Sequence, residues 1–233
     1  MEARAVKAST DKRRRDTPAV GERLASVPPV QQARLRILEA SVMLFAAHGF
    51  EGVSTGRIAA EAGISQSVVL YHFGSKRKLW REAMLHLFAR IGVAGVATPT
   101  DMKDLEPLSQ LRVALRRFVR ISAHHPELGR IIMREGAEGG ERLDWLVRNA
   151  LAANYTVYIG LVVAAQQAGT IKQHPPFLLT ILLHAACSML FNLQPLVEAV
   201  EGGRLGEYKL EELADMILDT LFSGICVPEG VSQ

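Results

Sequence analysis

Apolar residues recur at intervals of three and four along most of this chain, and no stretch alternates with a period of two. Leu35, Leu38, Val42 and Phe45 form one stripe, which predicts a helix from about Val30 to His48 ended by Gly49. Two short helices are predicted next, Thr55–Glu61 capped by Ser54 and Gln66–Tyr71 capped by Ser65. A fourth helix follows Gly74-Ser75 and runs to about Val93, with Leu79, Ala83, Leu87 and Ile91 inward. Thr98-Pro99-Thr100-Asp101 breaks the pattern and is read as the domain boundary. Beyond it the spacing predicts helices at Leu105–His124, Pro126–Arg134, Glu141–Ala168, Phe177–Ala199 and Lys209–Phe222. Glycines and prolines punctuate them at Gly136, Gly139-Gly140, Gly169, Pro175-Pro176, Gly202-Gly203 and Gly206. The expected fold is all-α, a three-helix N-terminal head followed by a larger helical domain. The expected divisions are a disordered basic arm at 1–29, the head at 30–97, the second domain at 98–227 and a flexible tail at 228–233.

The segment TGRIAAEAGISQSVVLYHFG, Thr55 to Gly74, carries the spacing of a helix-turn-helix. Ala59 is small where the second helix must cross the first. Gly63, four residues on, tolerates the positive φ of a tight turn. Val69, six residues further, returns an apolar side chain to the shared core. Such a unit presents one short helix to the major groove of DNA.

Charge sharpens this picture. Residues 1–30 hold seven Lys/Arg against four Asp/Glu, residues 31–90 eight against four, and residues 91–233 twelve against sixteen. The basic part is the part with the helix-turn-helix, as a head that meets a polyanion requires. The KRRRD run at Lys12–Asp16 would add phosphate or minor-groove contacts from the arm. Cys187 and Cys226 have neither disulfide-scaffold nor metal-ligand spacing and are read as buried thiols in a reducing cytoplasm. Phe177–Leu193 is the one membrane candidate, but it is short and contains Thr180, His184, Ser188 and Asn192, so it is read as a buried helix.

RILEASVMLFAAHGFEGVSTGRIAAEAGISQSVVLYHFGSKRKL, Arg36 to Leu79, resembles the TetR (tetracycline-repressor) family of bacterial transcription regulators. The likeness lies in the order of Phe45-Ala46, Gly49-Phe50, Ile58-Ala59, Ala62-Gly63, His72-Phe73, Ser75-Lys76 and Leu79. His125–Leu146 also resembles a stretch of some members. The chain has Leu70 where an aromatic is common, and Gly56 where some members carry a basic residue. The resemblance implies a homodimer on a palindromic operator, released when a small molecule binds the C-terminal domain.

Gln66 and Ser67, in the first turn of the recognition helix, are the expected base readers, with Val68 against a thymine methyl. Thr55 and Arg57 on the preceding helix join them. Tyr71, His72 and Lys76 match positions that hold phosphates in the family. Lys76, Arg77 and Lys78 oppose the dipole of the helix they open, and a phosphate there would relieve the conflict.

In the second domain the candidate ligand contacts are Phe118, Ser122, Trp145, Tyr155, Tyr158, His184 and Asn192, polar or aromatic residues in apolar helices. They suggest an uncharged or weakly polar effector of unknown identity. The Phe177–Ala199 helix is apolar nearly all round and needs covering on both sides, which a second subunit would supply. No cofactor, metal or membrane partner is expected: His124 and His125 would point apart on a helix, with no third ligand in reach. An enzyme is the contrasting class, and no nucleophile elbow, phosphate loop or dinucleotide fingerprint is present. A DNA-bound dimeric factor without an effector is the third reading.

Overall fold

The computed structural model describes residues 28–92, 102–203 and 205–226. The expected arm, the domain boundary at Thr98–Asp101 and the C-terminal tail lie outside the described residues, apart from the last two positions of the arm. Eleven α-helices occur among them, with no strand beyond an isolated bridge between Ile171 and Cys226.

The head comprises α1 (Pro29–His48), α2 (Thr55–Glu61), α3 (Gln66–Phe73) and α4 (Lys76–Ile91). Ser54 and Ser75 cap α2 and α4, accepting from the backbone N–H groups of Arg57 and Lys78. Gly63 turns the chain between α2 and α3 at φ +66°, and Ala59 and Val69 are buried on either side of it. The α3 helix continues to Phe73, past the expected end at Tyr71, because Phe73 is buried with the head core.

The larger part comprises α5 (Pro107–His124), α6 (Pro126–Glu138), α7 (Glu141–Leu146), α8 (Ala152–Gln167), α9 (Pro176–Asn192), α10 (Gln194–Glu201) and α11 (Leu210–Ile225). A π-helical turn at Val147–Leu151 joins α7 to α8 without a break. That run, Glu141–Gln167, is long and apolar enough to cross a membrane, but Glu141, Arg142, Asp144 and Arg148 stand in its opening turns and Leu146, Leu151, Tyr158 and Val162 are buried in the protein core.

Three expectations are corrected. The expected helix Phe177–Ala199 is two helices, α9 and α10, bent by 66°. Pro195 has no N–H to donate to the preceding turn, so the α9 ladder stops there. Gly136 does not interrupt α6, which continues to Glu138 and ends at Gly139, φ +71°. Cys226 is only partly buried at the end of α11, whereas Cys187 is fully buried and its thiol is pushed up to about 12 by desolvation.

Two apolar clusters hold the molecule. One is the head core around Ile37, Phe45, Ile58, Leu79 and Trp80; Leu128 and Ile131 of α6, Leu146 of α7 and Leu151 of the π turn complete it. The other lies among α5, α8, α9 and α11 around Leu111, Leu115, Val162, Leu183 and Leu218. Ile121 borders both.

Candidate nucleic-acid interface and ligand cavity

The free face of α3 is set by its period. Val69 and Phe73 turn inward, so Gln66, Ser67, Leu70 and Tyr71 share the outer face. Tyr71 is 84% exposed, and His72 packs edge-on to it with centroids 5.4 Å apart. Val68 is half-buried. Gln66 Nε2 donates to Thr55 Oγ1 at 2.9 Å, which ties the start of the recognition helix to the start of α2. Ser65 and Ser67 share a hydroxyl–hydroxyl bond of 2.8 Å. Arg57 is exposed and reaches the His48 ring nitrogen at 2.7 Å. Thr55, Arg57, Gln66, Ser67 and Tyr71 therefore lie together at the helix-turn-helix surface, with Val68 and His72 at its edge.

The basic turn that opens α4 is divided. Lys76 places its ammonium 4.3 Å from the centroid of the Phe50 ring, a cation–π contact. Arg142 of α7 lies over the same ring at 4.7 Å. Arg77 donates to Glu141 at 2.9 Å. Arg77 thus ties the head to the second domain, while Lys76 shares the Phe50 ring of the head with Arg142 from that domain, which the sequence pattern did not reveal. Lys78 stays exposed. Arg142 also pairs with Glu138 at 2.7 Å and with buried Glu135 at 2.8 Å. Desolvation raises the Glu135 carboxyl above its ordinary range even so.

Six of the seven candidate ligand residues border two adjoining cavities, a larger and a smaller lobe, between α5, α6, α8 and α9. The lobes measure about 160 Å³ and 60 Å³. Phe118, Tyr155 and His184 line both; Ser122 and Asn192 line the larger, and Tyr158 the smaller. His184 sits with its ring 4.4 Å from Phe118, 4.3 Å from Tyr158 and 5.3 Å from Tyr155. Burial in this aromatic wall pushes its pKa down to about 4. Tyr158 donates to the Ala114 carbonyl at 3.2 Å, and desolvation raises its pKa well above the usual phenol range. Trp145 is not among the cavity residues. It packs against Trp80, centroids 5.6 Å apart, at the junction with the head. There it lines a separate cleft of about 280 Å³ with Phe50, Arg77 and Arg142.

Sequence reasoning missed Gly129. A Cβ there would stand 2.0 Å from Asn192 Oδ1, so the absence of a side chain on α6 is what seats the Asn192 amide. Among the described residues no group of three His, Cys, Asp or Glu is arranged to hold a metal ion.

Comparisons with known proteins agree with this geometry. Residues 37–83 match the family described as bacterial regulatory proteins, tetR family. The HTH-type transcriptional repressor SCO4008 of Streptomyces coelicolor is 31% identical over 110 residues, which is 47% of this chain and 53% of that relative, so the match spans about half its length. The HTH-type transcriptional regulator RutR of Escherichia coli is 27% identical over 185 residues, 79% of this chain and 84% of RutR. Among solved structures, the ketosteroid transcriptional regulator KstR2 of Mycobacterium tuberculosis superposes with a TM-score of 0.65 at 16% identity, covering 84% of this chain and 95% of that one. The hemolysin II transcriptional regulator HlyIIR gives 0.62 at 17%, covering 85% and 99%. These two share the fold. The matched residues coincide with the second half of α1 to the middle of α4, where the helix-turn-helix is built; this region is similar to the DNA-binding part of the TetR family of bacterial regulatory proteins, and the relatives named above are transcription regulators.

Proposed function

We propose that this protein is a ligand-responsive repressor, a homodimer that holds a palindromic operator and leaves it when a small, mostly apolar molecule enters the cavity of each subunit. Gln66 and Ser67 read base edges, with Thr55, Arg57 and Val68 beside them. Tyr71, His72 and Lys76 hold phosphates. Lys76 swings from Phe50 to the phosphate that sits at the α4 N-terminus.

The observation that carries this reading is the place of α6. It lines the cavity through Leu128, Gly129 and Ile132, and through Leu128 and Ile131 it completes the head core. A ligand that pushes α6 outward therefore acts on the packing of the head itself. The effect has the form of allosteric coupling, typically 1–3 kcal/mol between two sites.

The dimer reading is supported by α9. Phe177, Leu178, Ile181, Leu182 and Met189 are exposed on it, a large apolar strip to leave in water. Met216 of α11 is also exposed. A second copy presenting the same strip would bury both, as twofold symmetry requires.

The test uses a built-in substitute for the effector. Ser188 lines the larger lobe, and Ser188→Phe fills it. On an operator recovered from random duplexes, Ser188→Phe should bind about tenfold more weakly than wild type, a coupling near 1.4 kcal/mol. Unchanged operator affinity in a folded variant would leave a DNA-bound dimer without an effector.

A further inference from the structure

We infer that the effector is an uncharged aromatic molecule carrying a hydrogen-bond donor, an O–H or N–H, for the Asn192 side-chain oxygen and the His184 ring nitrogen. This rests on the reading of the cavity as the effector site and names the chemistry of its occupant.

Size comes first. A cavity near 150 Å³ takes a single benzene ring, and the larger lobe is about 160 Å³. The smaller lobe adjoins it across Tyr155 and His184. The wall of Phe118, Tyr155 and His184 offers ring faces and edges within reach of a further ring.

Charge comes second. Among the described residues, no Asp, Glu, Lys or Arg lines either lobe. His125 lines the larger lobe, with its Nδ1 held by Glu127 at 3.2 Å. Arg130 and Arg134 line neither lobe; they stand in an open groove that also borders Met133 and Asn192, where Arg130 donates to the Asn192 backbone carbonyl at 3.2 Å. An ion moved into the lobes would lose its water and meet no counter-charge.

The polar groups settle the rest. Asn192 is 6% exposed, and neither its Oδ1 nor His184 Nε2 has a hydrogen-bond partner among the described residues. Buried polar atoms without partners are costly and rare; Asn192 Oδ1 is an acceptor, and His184 Nε2 is one in the tautomer that carries its proton on Nδ1. The Asn192 amide nitrogen points to Met133 Sδ at 3.4 Å, which leaves the oxygen as the free acceptor. Gly129 stands where any side chain would collide with that amide. A glycine inside a helix costs about 1 kcal/mol relative to alanine, so the pair reads as a built seat. The two groups lie eight residues apart on α9, about 12 Å along its axis. One ring with one donor reaches either group, and an elongated molecule with two donors spans both.

Phenol, toluene and benzoate separate the alternatives, titrated by calorimetry into the full-length protein. Phenol and toluene share a ring and exchange a hydroxyl for a methyl; benzoate adds a charge. The expected order in wild type is phenol about tenfold tighter than toluene, the worth of one well-placed hydrogen bond, with benzoate weakest. In the double variant His184→Phe with Asn192→Leu, toluene should still bind and the preference for phenol should vanish. Circular dichroism checks that the variant folds. Should it not fold, the wild-type order alone decides. Toluene binding as tightly as phenol, or benzoate binding best, would overturn the donor chemistry while leaving the cavity as the effector site. No binding by any of the three would overturn both.

Discussion

At the scale of single residues, His184 shows how burial alone sets behaviour. Its ring is enclosed by Phe118, Tyr155 and Tyr158, and its pKa is lowered from 6.5 to about 4. The unfolded chain therefore takes up a proton as pH falls below 6.5, and the folded chain does not until about 4. Stability is intact above that window and declines as pH falls through it, by up to about 3 kcal/mol. In urea melts between pH 7 and pH 4, His184→Phe should lose stability less steeply than wild type; parallel curves would contradict the assignment. On the DNA side, Lys76→Ala should weaken binding to every sequence and lower the salt slope by about one unit. Gln66→Ala should weaken the operator selectively, by about 1–3 kcal/mol, because its amide is held by Thr55 at the helix start. Binding isotherms at several salt concentrations, on operator and on scrambled duplex, separate the two. The spacing around Gly63 placed Gln66 and Ser67 at the exposed start of the second helix, and there they stand. The role of Trp145 was not legible, because an aromatic residue in a helical stripe looks the same whether it faces a cavity or, as here, Trp80 of the head.

Elements show where local pattern suffices and where packing overrules it. Caps and glycines located α1 to α4 within a few residues, since Ser54, Ser75, Gly49 and Gly74 act locally. The break between α9 and α10 was also written in the chain, at Pro195, but the apolar stripe continues through it and hid it. The π turn at Val147–Leu151 has no comparable mark. It lies between Trp145, which packs on the head, and Tyr155, which faces the cavity. Gly129 and Asn192 are 63 residues apart and meet only when α6 packs on α9, so no local pattern announces them. Their contact makes a conditional prediction. Gly129→Ala should destabilise the wild type, because its Cβ lands on Asn192. The same change in an Asn192→Ala background should stabilise by up to about 1 kcal/mol, the helix-propensity gain of alanine. Thermal melts of the four proteins form the cycle, and additive effects would deny the contact.

At the scale of the molecule, the head is not a self-contained domain. Its core is closed by α6, α7 and the π turn, and its basic turn is tied across the junction through Phe50, Arg142 and Glu141. A domain boundary drawn from sequence breaks does not show this sharing, which depends on long-range packing. Dimerisation should rest on the α9 strip, so Leu182→Arg, at a residue 65% exposed in the single chain, should give monomers by light scattering and weaken the operator complex sharply. A dimer of unchanged mass would move the interface elsewhere. The central claim is that α3 reads a specific, twofold-symmetric DNA site. The most direct measurement is selection of bound duplexes from a random library by the full-length protein, followed by titration of the winners across salt. A palindromic consensus is expected, with Gln66→Ala weakening that site selectively by about 1–3 kcal/mol. Salt-sensitive binding without any consensus would contradict it.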